Sequence, residues 1–280
     1  MKTGLVLEGG AMRGIYTAGV LDVFLDHGIE FDGVIGVSAG AIHGSNYIAG
    51  QNERIINYYL KYCDDKRFMS LYSLITTGSI VGEQFCYHDI PDYLNPLDYD
   101  SFRKSKTEFY MVCTDVEKGK PIYVKCKDLK GQLDFMRASA SMPMVSKIVE
   151  CGGRKLLDGA ITDSIPLKAM QKLGYDRIVV VQTREKDYWK HSEWNIFADY
   201  LYRKYPGFLK AIRKRHLMYN SEKKYVEKSE QEGKIIALKP TRHVDIKRTE
   251  KNKDKITEMY LLGRFDAENK IDEIQKFLNA

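Results

Sequence analysis

An α/β fold built on parallel strands is predicted by three features of the sequence. Residues 4–8 and 33–37 read as short buried strands, an apolar helical stripe lies between them, and each strand runs into a glycine-bearing turn that opens a helix. Strand, crossover helix and strand over this length make a βαβ unit, whose two strands run parallel. The C-terminal ends of both strands, at Glu8 and Val37, therefore open onto one edge of the sheet.

The remaining elements follow in chain order. Residues 12–27 place Ile15, Ala18, Val20, Leu21, Phe24 and Leu25 on one helical stripe, with Gly28 at the stop. A helix of small residues follows from Ala39 to about Ala49, and another is expected over 52–62. Residues 63–107 read as irregular and aromatic-rich with helical pieces. Phe109–Cys113 and Pro121–Val124 suggest a hairpin. Gln132–Ser139 reads as a helix, and Lys147–Cys151 with Arg154–Leu157 as a second hairpin across Gly152-Gly153. Ser164-Ile165-Pro166 has the form of an N-cap with an early-turn proline, opening a helix that Gly174 closes. Arg177–Gln182 is a Val/Ile-rich strand, Lys234–Leu238 a short one, and Asp266–Leu278 a last helix. After about residue 186 the composition turns aromatic and basic, which divides the chain into residues 1–186 and an extension, 187–280, packed on it.

Composition narrows the function classes. With 44% hydrophobic and 29% charged residues among 280, the chain has the balance of a globular protein able to bury a substantial core. Its five cysteines are scattered and form no C-x-x-C, which argues against a disulfide framework or a zinc site and suits reduced thiols in a cytoplasm. No signal-like N-terminus and no apolar run of membrane-spanning length is present. The net charge of +6 is regional: eight of the 44 basic residues fall between Tyr200 and Lys224, against one of the 38 acidic ones, so the remainder is close to neutral.

Three motifs carry chemistry. Gly36-Val37-Ser38-Ala39-Gly40 is a G-x-S-x-G sequence between a strand and a helix, the context of a nucleophile elbow. There the serine is held in strained backbone geometry and its hydroxyl stands at a helix N-terminus, where developing negative charge is favoured. Gly9-Gly10-Ala11-Met12-Arg13-Gly14 opens the first helix, so its N–H groups are available to an anion beside Ser38. It lacks the middle glycine of a dinucleotide-binding turn and the Lys-Ser/Thr of a Walker A loop; a plain tight turn is the remaining alternative. Asp158-Gly159-Ala160 ends a strand, and Asp158 within reach of Ser38 could take the hydroxyl proton; the alternative is a turn cap. Asp163 competes as a carboxylate but has the position of a helix-start residue. His191, His216 and His243, the histidines a Ser-Asp-His order would need, lack a catalytic loop context and read as solvated or structural.

In order and spacing these three motifs resemble the signature of the patatin-like phospholipases, with Ala138–Pro143 matching that family's small-residue segment upstream of the aspartate. The resemblance covers about residues 4–185. It implies a three-layer α/β/α sandwich with a mostly parallel central sheet, here followed by a C-terminal helical and mixed extension. It implies a Ser38–Asp158 dyad without histidine, an oxyanion hole from the Gly9–Ala11 backbone with Arg13 nearby, no metal or cofactor, and hydrolysis of lipid acyl esters. Gly14, Gly36, Gly40, Gly159 and Ala160 complete the motif positions. Ala11 departs from the pattern by standing where the family loop has its third glycine; a positive φ there would cost about 1 kcal/mol.

The extension holds Trp189, Trp194, Phe197, Tyr200 and further aromatics beside the basic run. Peripheral contact with an anionic membrane surface is one reading, and aromatics packed on the core below a solvated charged face is the other. No nucleic-acid recognition module is visible. Against a lipid hydrolase stand an esterase or acyltransferase acting on small soluble esters, and a non-catalytic lipid-binding protein.

Overall fold

The computed structural model describes residues 1–192 and 196–280. Among them eight strands form one sheet: β1 (Thr3–Leu7), β2 (Gly33–Val37), β3 (Glu108–Asp115), β4 (Lys120–Cys126), β5 (Val149–Cys151), β6 (Arg154–Asp158), β7 (Arg177–Val181) and β8 (Ile235–Leu238). The order is β5-β6-β3-β2-β1-β7-β8, with β4 also paired to β3. The five strands from β3 to β8 along this order run parallel, while the β3–β4, β3–β6 and β5–β6 pairs are antiparallel. The two strands of the expected βαβ unit are neighbours, with Leu7 opposite Gly36.

Side chains on a strand alternate between faces, and here both faces are covered. Leu5 and Leu7 of β1 enter one apolar cluster and Val6 the other. The first face packs against α1 (Ile15–Asp26), α2 (Ala39–Ile48) and α3 (Arg54–Tyr62). Next come α4 (Leu71–Thr77), a π-helical stretch Phe85–Leu94 that contains Pro91, α5 (Tyr99–Lys104) and α6 (Leu133–Ser139). The second face is covered by α7 (Leu167–Lys172) and, beyond α8 (Ile196–Leu201), by α9 (Pro206–Gln231), through Met170, Tyr219 and Val226. Then α10 (Lys253–Glu268) and α11 (Ile271–Asn279) return to the first face through Ile256, Met259 and Ile274. The arrangement is the three-layer sandwich with a mostly parallel sheet.

The α1–α10 contact is unusually close. A Cβ on Gly19 would overlap the Tyr260 carbonyl, and one on Gly263 the Tyr16 carbonyl. The Tyr260 hydroxyl donates to Asp22 Oδ2 at 2.8 Å, and Arg264 pairs with Asp26 at 2.6 Å. Ten of the twelve α1 residues are buried in consequence, which explains why its sequence is apolar nearly all round.

Local expectations needed correction in three places. The expected last helix, Asp266–Leu278, is split in two: Asp266 sits in the final turn of α10, accepting from the N–H and hydroxyl of Thr241, and the chain turns at Asn269–Lys270 before α11. Ser164 does not cap α7: its hydroxyl donates to the Ala160 carbonyl, and Glu222 of α9 accepts the Ser164 and Ile165 N–H groups, each at 3.0 Å. The basic, aromatic stretch is mostly the 26-residue α9. Of the aromatics beside the basic run, Phe197 and Tyr200 are exposed on α8, and Trp194 lies outside the described residues. No helix among the described residues is long and apolar enough to cross a membrane.

Candidate active site

Ser38 occupies the turn between β2 and α2 with φ 55 and ψ −123, a backbone conformation that L-residues rarely adopt. Several groups impose it. The Ser38 N–H donates to Ser139 Oγ at 3.0 Å, and the Ser139 hydroxyl donates to the Val112 carbonyl at 2.7 Å. The Ser38 carbonyl accepts from Ala41 and Ile42, starting α2. Gly36 and Gly40 are required by contact: a Cβ on Gly36 would strike the Ala41 backbone, and one on Gly40 the Leu7 and Glu8 carbonyls.

Asp158, at the end of β6, is fully buried and held from three sides. Its N–H donates to the Ser141 carbonyl at 2.9 Å, its carbonyl accepts the Thr114 hydroxyl at 2.8 Å, and its Oδ1 accepts the Ala160 N–H at 2.8 Å. Oδ2 is buried and without a hydrogen-bond partner among the described residues. Burial raises the carboxyl to about 6; the Ala160 N–H, Arg215 and Ser38 pull in the opposite direction. Ser38 is thus near enough to favour the carboxylate, although no hydrogen bond of ordinary geometry joins the two side chains. Gly159 lies against the Val112 backbone, where a Cβ would not fit.

The glycine turn after β1 lies beside them. Glu8, itself buried, accepts the Thr183 N–H at 2.7 Å, and the Thr183 hydroxyl donates to the Gly9 carbonyl at 3.1 Å, so the end of β7 braces the turn. Ala11 has φ 49, so the condition under which its Cβ is costly is met. The N–H groups of Gly10 and Ala11 have no acceptor among the described residues. Gly14 packs on Ala39 and His43. Arg13 has a buried Nε without a partner, and burial, then Arg184 and Arg248, push its guanidinium down to about 10.

Gly9, Gly10, Ala11, Arg13, Ser38, Asp158 and Ala160 all line one small polar cavity of about 70 Å³. Ser38 and Ala11 also line a second, largely apolar cavity of about 330 Å³, walled by side chains such as Ile42, Tyr58, Phe68, Leu133 and Met136. Ser38 therefore stands where an apolar cavity meets a polar one. His191 and His216 lie on the apolar cavity's wall, and neither is hydrogen-bonded to Ser38 or Asp158. His243 pairs with Glu185 at the surface, 2.7 Å apart. His43 is fully buried and kept neutral, its value lowered to about 3 by burial. Asp163 is engaged elsewhere, accepting the Tyr123 hydroxyl at 2.6 Å. No group of three metal-ligating side chains occurs among the described residues.

Ser139, Ser141 and the cavity-lining cations Lys190, Arg215 and Arg248 were not singled out as site residues from the sequence. The small-residue run 138–143 signalled the first two; the basic run between Tyr200 and Lys224 marked the region of Arg215 without singling it out, and Lys190 and Arg248 lie outside that run.

Comparison with known proteins gives these positions a context. The model of the patatin-like phospholipase family matches residues 5–170, and that of a domain of unknown function (DUF6363) matches residues 205–279. YjjU, an uncharacterized protein of Escherichia coli K12, is 28% identical over 199 residues, which are 69% of this chain and 55% of YjjU. Lysophospholipase NTE1 of Debaryomyces hansenii is 28% identical over 199 residues, 66% of this chain and 12% of that protein. VipD from Legionella pneumophila aligns with 97% of this chain and 67% of its own, at 13% identity and a TM-score of 0.45. The chain spans about half the length of its bacterial relative YjjU. Since the first family match takes in more than half the chain, from β1 into α7, the protein belongs to the patatin-like phospholipase family.

Proposed function

We propose that the protein is a serine hydrolase of lipid acyl esters, with Ser38 as nucleophile and Asp158 as general base. The observation that carries this reading is the unpartnered, buried Asp158 Oδ2 beside a strained serine at the mouth of an apolar cavity. Ser38 Oγ attacks the ester carbonyl as its proton passes to Asp158 Oδ2, and the Gly10 and Ala11 N–H groups hold the oxyanion. Collapse expels the alcohol, which takes the proton from Asp158, and leaves acyl-Ser38. Water, deprotonated by Asp158, then attacks the acyl group, and the carboxylic acid departs as the proton returns to Ser38.

The apolar cavity favours a fatty-acyl chain over a small soluble ester, since each buried methylene contributes about 0.8 kcal/mol. A relative named lysophospholipase points the same way. Access from a bilayer would run past α8, where Ile196, Phe197, Tyr200 and Leu201 are exposed and whose neighbour Tyr202 accepts the N–H of Met144 on the cavity wall, at 2.9 Å.

Labelling with a fluorescent alkyl fluorophosphonate, mapped by mass spectrometry, tests the reading. The expected adduct is on Ser38, strongly reduced by Asp158→Asn. No adduct, or one elsewhere, would end the enzyme reading and leave the fold intact.

A further inference from the structure

The larger cavity does not stay apolar along its whole length. On α2 and its N-terminal turn, Ser38, Ile42, Ser45 and Asn46 fall on one helical stripe, and all four line the cavity. Asn46 comes eight residues after Ser38, about 12 Å along the helix axis at about 1.5 Å per residue. There the wall also carries Arg54, the first residue of α3. Ser45 and Asn46 are each 2% exposed and Arg54 7%, so this polar end is internal.

Arg54 is held in place by neutral acceptors alone. Its Nη1 donates to Asn46 Oδ1, its Nη2 to the Asn95 carbonyl, and its Nε to the Asn95 and Pro96 carbonyls, both at 3.1 Å. The Asn46 amide is oriented for this, because its Nδ2 donates to the Ile42 carbonyl at 2.7 Å. Two of the five guanidinium N–H bonds are left without an acceptor among the described residues. Burial pushes the guanidinium down, and the groups that act in its favour are the phenols of Tyr58 and Tyr99, not a carboxylate. Among the described residues no aspartate or glutamate lines this cavity. A buried cation without a counter-charge is costly, and holding two carbonyls does not require one. A carboxylate on a ligand would supply the missing charge and has acceptors for both remaining N–H bonds.

The distance from Ser38 sets the length of such a ligand. An extended chain advances about 1.2 Å per bond, so roughly ten carbons join a carbonyl at Ser38 to a carboxylate at Arg54. We infer that Arg54 and Asn46 form a carboxylate-binding end of the acyl cavity, which selects esters whose acyl chain, about ten carbons long, ends in a second, free carboxyl group. This rests on the acyl-hydrolase reading of Ser38, so the test separates binding from turnover.

Ser38→Ala protein is titrated calorimetrically with monomethyl adipate, suberate, sebacate and dodecanedioate, with the neutral methyl 10-hydroxydecanoate and with decanoate. Monomethyl sebacate is expected to bind most tightly of the half-esters, and at least about tenfold more tightly than methyl 10-hydroxydecanoate. Asn46→Asp sets a carboxylate of the protein's own on the guanidinium and should bring that ratio to about one or below. Arg54→Met should reverse the preference, because a carboxylate without a cation is disfavoured in an apolar cavity. Asn46→Asp retains the Arg54 contacts with Asn95 and Pro96, so it decides the matter if Arg54→Met does not fold. Equal binding of monomethyl sebacate and methyl 10-hydroxydecanoate, a ratio that Asn46→Asp leaves intact, or affinity that ignores the length of the diacid overturns the inference. Decanoate binding as tightly as monomethyl sebacate would assign Arg54 to the head of a free fatty acid and overturn it too. In the wild type, the mono-p-nitrophenyl ester of sebacic acid should exceed p-nitrophenyl decanoate in kcat/KM by at least about tenfold. Length-dependent binding that Asn46→Asp abolishes, without fluorophosphonate labelling of Ser38, would remove the hydrolase reading and leave the carboxylate site standing.

Discussion

Residues 5–170 and residues 205–279 meet at one cavity but contribute to it in different ways. The first region supplies Ser38, Asp158 and the glycine turn, each set by backbone geometry at a strand end and braced by hydrogen bonds from neighbouring strands. The second supplies long side chains that reach in from a helix and a loop, above all Arg215 and Arg248, and a helix that seals α1. Backbone-held groups keep their positions to fractions of an ångström, as bond-making requires; a long side chain such as Arg215 is held instead by its own contacts, here the Ala160 carbonyl.

The largest effect that separates the two regions is expected from Ser38→Ala, which should lower hydrolysis of a long-chain p-nitrophenyl ester by at least about 10³-fold while leaving the fold intact. Asp158→Asn should cost about 10³-fold. With its carboxyl at about 6, wild-type kcat/KM should rise tenfold per pH unit below pH 6 and level off above it. The same shift has a consequence for stability. A carboxyl raised from 3.8 to about 6 costs nothing well below pH 3.8; the cost grows as pH rises from 3.8 to about 6 and is constant above that. Asp158→Asn should accordingly stabilise the protein in urea at pH 8, by up to about 3 kcal/mol, and barely at pH 4. A stabilised, inactive variant would mark Asp158 as maintained for chemistry; a destabilised one would make it a structural cap.

In the other region, Gly263→Val should drive α10 off α1 and cost about 2–3 kcal/mol in the same urea assay, with little change in the pH profile of the remaining activity. The smallest effect is expected at Ala11. Replacing it by glycine removes a Cβ at φ 49 and should stabilise by about 0.5–1 kcal/mol, with activity within about threefold of wild type. A large rise in activity would mean instead that the turn is distorted by the side chain.

The two regions also differed in legibility. β1, β2 and β7 are short, apolar on both faces and punctuated by glycine, so their sequence leaves few alternatives; the same holds for the Gly152-Gly153 hairpin and the elbow at Ser38. α9 was read as a basic, aromatic stretch because over 26 residues it buries only Phe208, Tyr219, Lys223, Val226 and Ser229, too sparse for an apolar stripe. Several of its cations are sorted by partners outside the helix: Arg213 pairs with Asp199, Lys223 reaches the Lys186 carbonyl, and Arg215 the carbonyl of Ala160 beside Asp158. Ser139 escaped notice for a related reason, since its role depends on Ser38 and Val112, 101 and 27 residues away.

The α1–α10 contact bears on when the protein becomes competent. The Tyr260–Asp22 hydrogen bond joins residues 238 apart, and β8, which pairs with β7, precedes α10 in the chain. A chain emerging in order from synthesis would hold Ser38 and Asp158 long before α1 is covered or Arg248 has arrived, with the loop-closure cost of those late contacts still outstanding. The cavity around Ser38 would then be completed only near the close of folding, after the last of its lining residues has emerged.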